Sequence, residues 1–267
     1  MIRQLSIKDN DSLMKYLQRE PEYNIFIIGD IECYGWDKDY QQVWGEFEND
    51  KYVGVLLKYR ENLVYYTHAR RDLKPMVDLI NTLEFDYING KKEAVNGLEE
   101  YLLDYKSEDM YFCALREFTR EDIDTSDVIK IDSIKDYIEH IKASESIEEF
   151  SIKPHNKYEE MAKTKLNDSK NGFQSDYYIK EDNRIVSFAS AVAESSTSAM
   201  VIGVGTLMEY RKRGLASKVM NKLCDEYLNN KNKSLCLFFD NPKAGKIYHR
   251  LGFKDIGFYK MYSKKGL

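Results

Sequence analysis

The sequence predicts an α/β protein built as two similar halves in tandem, and three observations carry that expectation. One order of elements runs over residues 1–120: strand, two helices, three strands, helix, strand, helix, strand. It runs again over 128–267. The helical stretches are amphipathic while the strand stretches are bounded by Asn, Asp and Glu turns. At 267 residues the chain is long enough for two ordinary domains, each with its own core.

In the first half, RQLSI reads as a strand and SLMKYLQRE as a helix, and Pro21 opens a second helix, PEYNIFIIGDIECY. The strands QQVWGEF, KYVGVLLKYR and LVYYTHA follow, with turns at Glu48-Asn49-Asp50 and Glu61-Asn62. LKPMVDLINTLE is then a helix, FDYING a strand, EAVNGLEEYLLDY a helix and MYFCALRE a strand. The polar stretch REFTREDIDTSD, residues 116–127, reads as the linker. In the second half VIKIDSI is a strand, with helices through IKDYIEHIKASE and NKYEEMAKTKLNDS. FQSDYYIK, RIVSFASAVAES and SAMVIGVGT are the three strands, and EYRKRGLASKVMNKLCDEYLNN is a helix. SLCLFFD, NPKAGKIYHRLG and DIGFYKMYS close the half as strand, helix and strand.

Composition narrows the classes of function. The net charge of −5 supplies no general basic field for nucleic acid or an anionic membrane. Cys33, Cys113, Cys224 and Cys236 lie far apart, with no C-x-x-C pair and no His at metal-ligand spacing, so they read as reduced thiols and no metal is expected. MIRQLSIKDNDS lacks the apolar stretch of a signal peptide, and IFII at 25–28 is far short of the ~20 residues that span a bilayer. The expectation is a cytoplasmic protein, a monomer or homodimer, with a small-molecule partner.

The helix EYRKRGLASKVMNKLCDEYLNN has Leu215, Val219, Met220, Leu223, Cys224, Tyr227 and Leu228 on one face and Lys218, Asn221, Lys222, Asp225 and Glu226 on the other. Arg211, Lys212, Arg213 and Gly214 crowd its start. A helix dipole disfavours cations there, by a few tenths to about 1 kcal/mol each when exposed. Either the cations simply reach into water, or an anion sits on the backbone N–H groups, which Gly214 lets it approach closely. Further along, FFDNPKAGKIYHRLGF places Asn241, a good N-cap, before Pro242. Asn241, Ala244 and Tyr248 share one helix face, Gly252 can end the helix and Phe253 can pack beneath it.

R-K-R-G-L-A fits [Q/R]-x-x-G-x-[G/A] between a strand and a helix. With N-x-x-A-x-x-x-Y-x-x-x-G-F about 25 residues later, it resembles the two hallmark segments of the GNAT superfamily of N-acetyltransferases. The resemblance is strong over 198–262 and extends more weakly back to about 128. It implies two tandem GNAT-like domains, each a mixed, mostly antiparallel sheet flanked by helices, with acetyl-CoA as co-substrate. Carried over by position, Val204, Gly205 and Thr206 would hold the pantetheine arm through their backbone. The loop Arg211, Lys212, Arg213, Gly214, Leu215, Ala216 and Ser217 would hold the pyrophosphate. Asn241, with Ala244 on its face, would contact the cofactor arm, and Tyr248 would lie near its sulfur.

An acceptor amine must lose a proton before it attacks a thioester, and the leaving thiolate benefits from an acid. Tyr248 is the expected acid. The fourth strand, SAMVIGVGT, carries no carboxylate, so Glu194 near the end of the preceding strand is the candidate base; a solvated hairpin residue is the alternative. Cys224 and Cys236 suit core positions, and direct transfer in a ternary complex needs no covalent cysteine. In the first half Arg70 and Arg71 are followed by Lys74-Pro75 rather than by a glycine at the needed place, and no N-x-x-A-x-x-x-Y segment follows. That half resembles a degenerate GNAT domain that has lost the cofactor. Trp36, Trp44 and the tyrosines would line an acceptor pocket or pack the core. A non-catalytic acetyl-CoA sensor and a transferase of another acyl group are the competing functions.

Overall fold

The computed structural model describes residues 1–36, 38–119, 123–150 and 156–266. The chain forms two units, one of residues 1–113 with 238–242 and 255 onward, the other of 114–237 with 243–254. Three residues of the expected linker, 120–122, lie outside the described residues.

In the first unit β1 (Ile2–Gln4), β2 (Gln41–Glu48), β3 (Lys51–Tyr59) and β4 (Asn62–Tyr66) pair antiparallel in that order. β4 then pairs parallel with β5 (Tyr87–Lys91). The turn signals work as the residues suggest: Asn49 and Asp50 take φ of 47° and 59°, which Asn and Asp tolerate best after glycine. Helices α1 (Asn10–Leu17) and α2 (Ile25–Tyr34) bury Leu13, Leu17, Ile25, Ile27 and Ile28. Residues 21–24 are a turn, so α2 begins later than Pro21. After α3 (Lys74–Ile80), EAVNGLEEYLLDY does not form one helix: α4 is only Lys92–Val95, because Gly97 adopts a left-handed φ of 108° and breaks it. Trp44 belongs to the core with Leu56, Leu63 and Tyr65, and the Trp36 indole N–H donates to Asn10 at 3.3 Å. β6 (Tyr105–Leu115) follows.

The second unit repeats the pattern. β7 (Ile129–Lys130), β8 (Ser175–Glu181), β9 (Arg184–Val192) and β10 (Ser198–Thr206) run antiparallel, and β10 pairs parallel with β11 (Ser234–Phe239). Asp182 and Asn183, φ 49° and 62°, make the β8–β9 turn. Helices α5 (Ile134–Glu145) and α6 (Tyr158–Lys170) pack together, and α7 (Leu215–Cys224) lies on β8, β9 and β10. Ser133 caps α5 by accepting from the Asp136 N–H at 3.1 Å. α8 (Pro242–Arg250) ends as its sequence suggests: Gly252 has φ 97°, and the Phe253 N–H donates to the Tyr248 carbonyl at 3.1 Å.

One element changes place. DIGFYKMYS, expected to close the second half, is part of β12 (Lys254–Lys264), and Tyr259–Ser263 pair antiparallel with β5 of the first unit. The tyrosines fix that partner: the Tyr259 hydroxyl donates to Asn89 at 2.7 Å and the Tyr262 hydroxyl to the Val95 carbonyl at 3.0 Å, both buried. A buried phenol needs such a partner, and local sequence does not show where the partner lies.

Candidate active site

The candidate site of the second unit is built outward from β10. Its register with β9 slips between Ile202 and Gly205, so Gly203 and Val204 together face Ala189. This is a bulge, with Gly203 at φ 59°. The parallel register with β11 covers only Ser198, Ala199 and Met200. Among the described residues, Val201 to Thr206 have no β11 partner in it. Gly205 is packed tightly, since a Cβ there would lie 2.6 Å from Ile147 Cδ1. Its carbonyl accepts from the Ser187 hydroxyl at 3.0 Å, and Thr206 pairs with the same hydroxyl at 2.9 Å.

The loop after β10 corrects the expected helix start. Met208–Tyr210 form a single 3-10 turn, and Gly214 is the residue before α7, at φ 78°. Arg211, Lys212 and Arg213 therefore precede the helix instead of occupying its first turn. Their charge is also largely answered: Arg211 makes a two-pronged pair with Glu149 at 2.7 and 3.0 Å, and Arg213 another with Glu181 at 2.8 and 2.9 Å. Arg211 also donates to the Thr206 carbonyl at 3.0 Å, which ties the loop to the strand end. Lys212 is exposed, with a left-handed φ of 64°.

Leu215 is buried and anchors α7, while Ala216 and Ser217 are half-buried. The first turn contains no acidic side chain, and a Cβ on Gly214 would meet nothing within 4 Å. Arg250, near the end of α8, donates to the Ser217 hydroxyl at 2.6 Å. This arginine was not legible in sequence, because the two residues are 33 positions apart. Helix N–H groups, open space before a left-handed glycine and an adjoining arginine fit a pyrophosphate. Tyr248 is buried two residues before Arg250, with its ring 6.1 Å from that of Phe253. Ala244 lies one turn earlier, and Asn241 stands just before Pro242.

The same junction in the first unit carries an acidic side chain of its own. The Asp72 carboxylate accepts from the Lys74 N–H at 3.0 Å, so an internal anion holds the start of α3. Arg71 turns back to Glu46 and Glu48.

Glu194, the candidate base, is paired with two lysines. It is buried near the Ser198 end of β10, away from Thr206, and three side chains donate to it: Tyr227 at 2.6 Å, Lys233 at 2.9 Å and Lys231 at 3.0 Å. Burial pushes its pKa up, but the hydrogen bonds from Tyr227, Lys233 and Lys231 outweigh it and hold the carboxyl below its ordinary value. Its oxygens are thus already occupied by three donors. Cys224 and Cys236 are buried in the core as expected.

A cavity of about 370 Å³ opens beside the bulge, lined by His140, Phe150, Met161, Lys165, Ile202 and Gly203 among others. His140 stands on the buried stripe of α5 with Tyr137 and Ile141, a spacing that in sequence reads as core. Deeper still, Asp176 is fully buried and accepts from Ser190 at 2.5 Å, Tyr137 at 2.9 Å and Gln174 at 2.9 Å.

Among the described residues, no helix is long and apolar enough to cross a membrane. No curated protein matches the chain in sequence. Solved structures do match in fold. A Drosophila protein determined as a structural-genomics target aligns with TM-score 0.72 at 9% identity, covering 98% of each chain. A GCN5-related N-acetyltransferase from Sphaerobacter thermophilus aligns at 0.65 and 14%, covering 99% of this chain and 95% of that one. A tandem GNAT protein from the clavulanic acid biosynthesis pathway aligns at 0.60 and 10%, covering 100% and 99%. These likenesses concern the fold. The family model for GNAT acetyltransferase matches residues 86–262, well over half of the sequence, and the chain therefore belongs to the GNAT acetyltransferase family.

Proposed function

We propose that the protein moves the acetyl group of acetyl-CoA to the amine of a small molecule, by direct attack in a ternary complex within the second unit. The observation that carries this is the junction of two features on β10: the bulge at Gly203–Val204 and the glycine-led start of α7 beyond it. Bound acetyl-CoA would supply an electrophilic thioester carbonyl and a thiolate leaving group. The backbone of Val204, Gly205 and Thr206 would hold the pantetheine arm, with Ala244 on α8. Because Arg211 and Arg213 are already paired, the pyrophosphate would fall mainly to the loop and helix N–H groups through Ser217, and to Arg250. Tyr248 would donate its phenolic proton to the departing sulfur. With Asp72 bonded at its helix start, the first unit has lost cofactor binding in this reading.

Thermal stabilisation by acetyl-CoA, followed by release of free thiol across an amine panel, tests the proposal. Absence of stabilisation would sink it. Stabilisation without thiol release on any amine would favour a sensor, and competition by longer acyl-CoAs would reveal another donor. Tyr248→Phe is expected to lower turnover on the order of 100-fold while changing acetyl-CoA affinity little. Unchanged turnover removes the phenol from the mechanism.

A further inference from the structure

We propose that His140 accepts the proton of the attacking amine, and that the cavity it lines admits a primary amine carried on a compact apolar body. This rests on the acyl-transfer reading of the same unit. His140 is 4% exposed, and neither ring nitrogen has a hydrogen-bond partner among the described residues. A buried polar group usually has one, and an orphaned pair of nitrogens on a side chain that borders a cavity is what an absent ligand would satisfy. The ring stands edge-on to Phe188, with centroids 4.7 Å apart. The same cavity is lined by Ile202 and Gly203, which places the histidine and the bulge on one space.

The charged groups facing His140 come from two elements. Burial pushes its pKa down to about 4, Asp176 on β8 opposes that, and Lys165 on α6 adds to it; Ser190 and Phe188 on β9 are neutral. The imidazole is therefore neutral at pH 7, with one nitrogen free to accept. A weak base suffices here. As the amine lone pair bonds to the acyl carbon, the carbonyl π pair moves to oxygen and the nitrogen becomes a far more acidic ammonium. His140 takes that proton. The oxygen pair then re-forms the carbonyl, the C–S bond breaks, and the sulfur takes the Tyr248 proton. Imidazolium loses its proton to solvent and the phenolate regains one, so the sum is amide plus thiol.

The walls choose the acceptor. Ile141, Phe150, Met161 and Ile202 are apolar, Ser144 and Ser190 add hydroxyls, and among the described lining residues the one cation, Lys165, has its ammonium 3.8 Å from the buried Asp176. Its charge is thus already balanced, and a carboxylate on the acceptor would gain little. Phenethylamine is the probe, with phenylalanine as its carboxylated counterpart.

The chain has four histidines, so the His140 ring can be assigned and followed by NMR. It is expected to titrate below pH 5 in the free protein and to shift on saturation with phenethylamine. His140→Phe and His140→Ala are expected to lower thiol release on the order of 100-fold at unchanged acetyl-CoA affinity, with imidazole but not pyrrole restoring His140→Ala. Full turnover in His140→Phe, or equal rescue by pyrrole, overturns the base. Preference for phenylalanine overturns the acceptor class. If acetyl-CoA binds wild-type protein but phenethylamine leaves the His140 signal unmoved, the cavity assignment fails and acyl transfer stands. If acetyl-CoA does not bind, acyl transfer fails, and the His140 signal still decides whether the cavity takes the amine.

Discussion

Gly214→Val is expected to abolish acetyl-CoA binding, with affinity down at least 100-fold and the cofactor-dependent rise in melting temperature gone. Two effects act together. Gly214 sits at φ 78°, where a β-branched residue is strained by ~1–3 kcal/mol, so the loop would shift to relieve it. The side chain would also occupy the open space before the first turn of α7, where a Cβ now meets nothing within 4 Å. That emptiness separates folding from binding: a Cβ at this position meets no other part of the described protein within 4 Å. Isothermal titration with acetyl-CoA on the folded variant decides the matter. Normal affinity would refute the placement of the pyrophosphate at this loop. Gly214→Ala, strained in the same way but smaller, should fall between the two.

Periodicity and turn chemistry made most of the elements legible. The hairpins at Asn49-Asp50 and Asp182-Asn183 and the Gly252 stop of α8 are encoded within a few residues, and each takes its expected conformation. Local rules failed where a distant partner decides. Gly97 breaks a stretch whose composition otherwise suits a helix, and β12 leaves the half it belongs to in sequence because Asn89 and Val95 satisfy its tyrosines. The start of α7 was misplaced for a related reason. Arg211 and Arg213 are held outside the helix by Glu149 and Glu181, 62 and 32 positions away. The site divides in the same manner. The donor loop is one contiguous stretch and could be read. The acceptor side is assembled from α5, α6, β9 and β10, so His140 looked like any residue of an amphipathic stripe.

Glu194 was the sequence's candidate for the base, and its surroundings predict a different outcome for its loss. Glu194→Gln is expected to destabilise the fold by about 3 kcal/mol, because removing one partner of a buried charge cluster leaves the others uncompensated. Lys231 and Lys233 would remain beside the site, with side chains 26% and 20% exposed, and water would offset part of the cost. Calorimetry should show a fall of roughly 5–10 °C in melting temperature. The pH dependence has a definite sign. The folded pKa of Glu194 lies below its ordinary value of 4.5, so the stabilisation is fully present above that value. It is lost as pH falls through the folded pKa. The difference between wild type and variant should therefore be constant from pH 6 to 8 and close below about 4.5. Thiol release, measured well below the lowered melting point, should be unchanged. An unaltered melting temperature with collapsed turnover would restore Glu194 as the base and remove His140. The reverse pair of results would assign Glu194 to holding the end of β10 in place, through charges that take no part in the transfer.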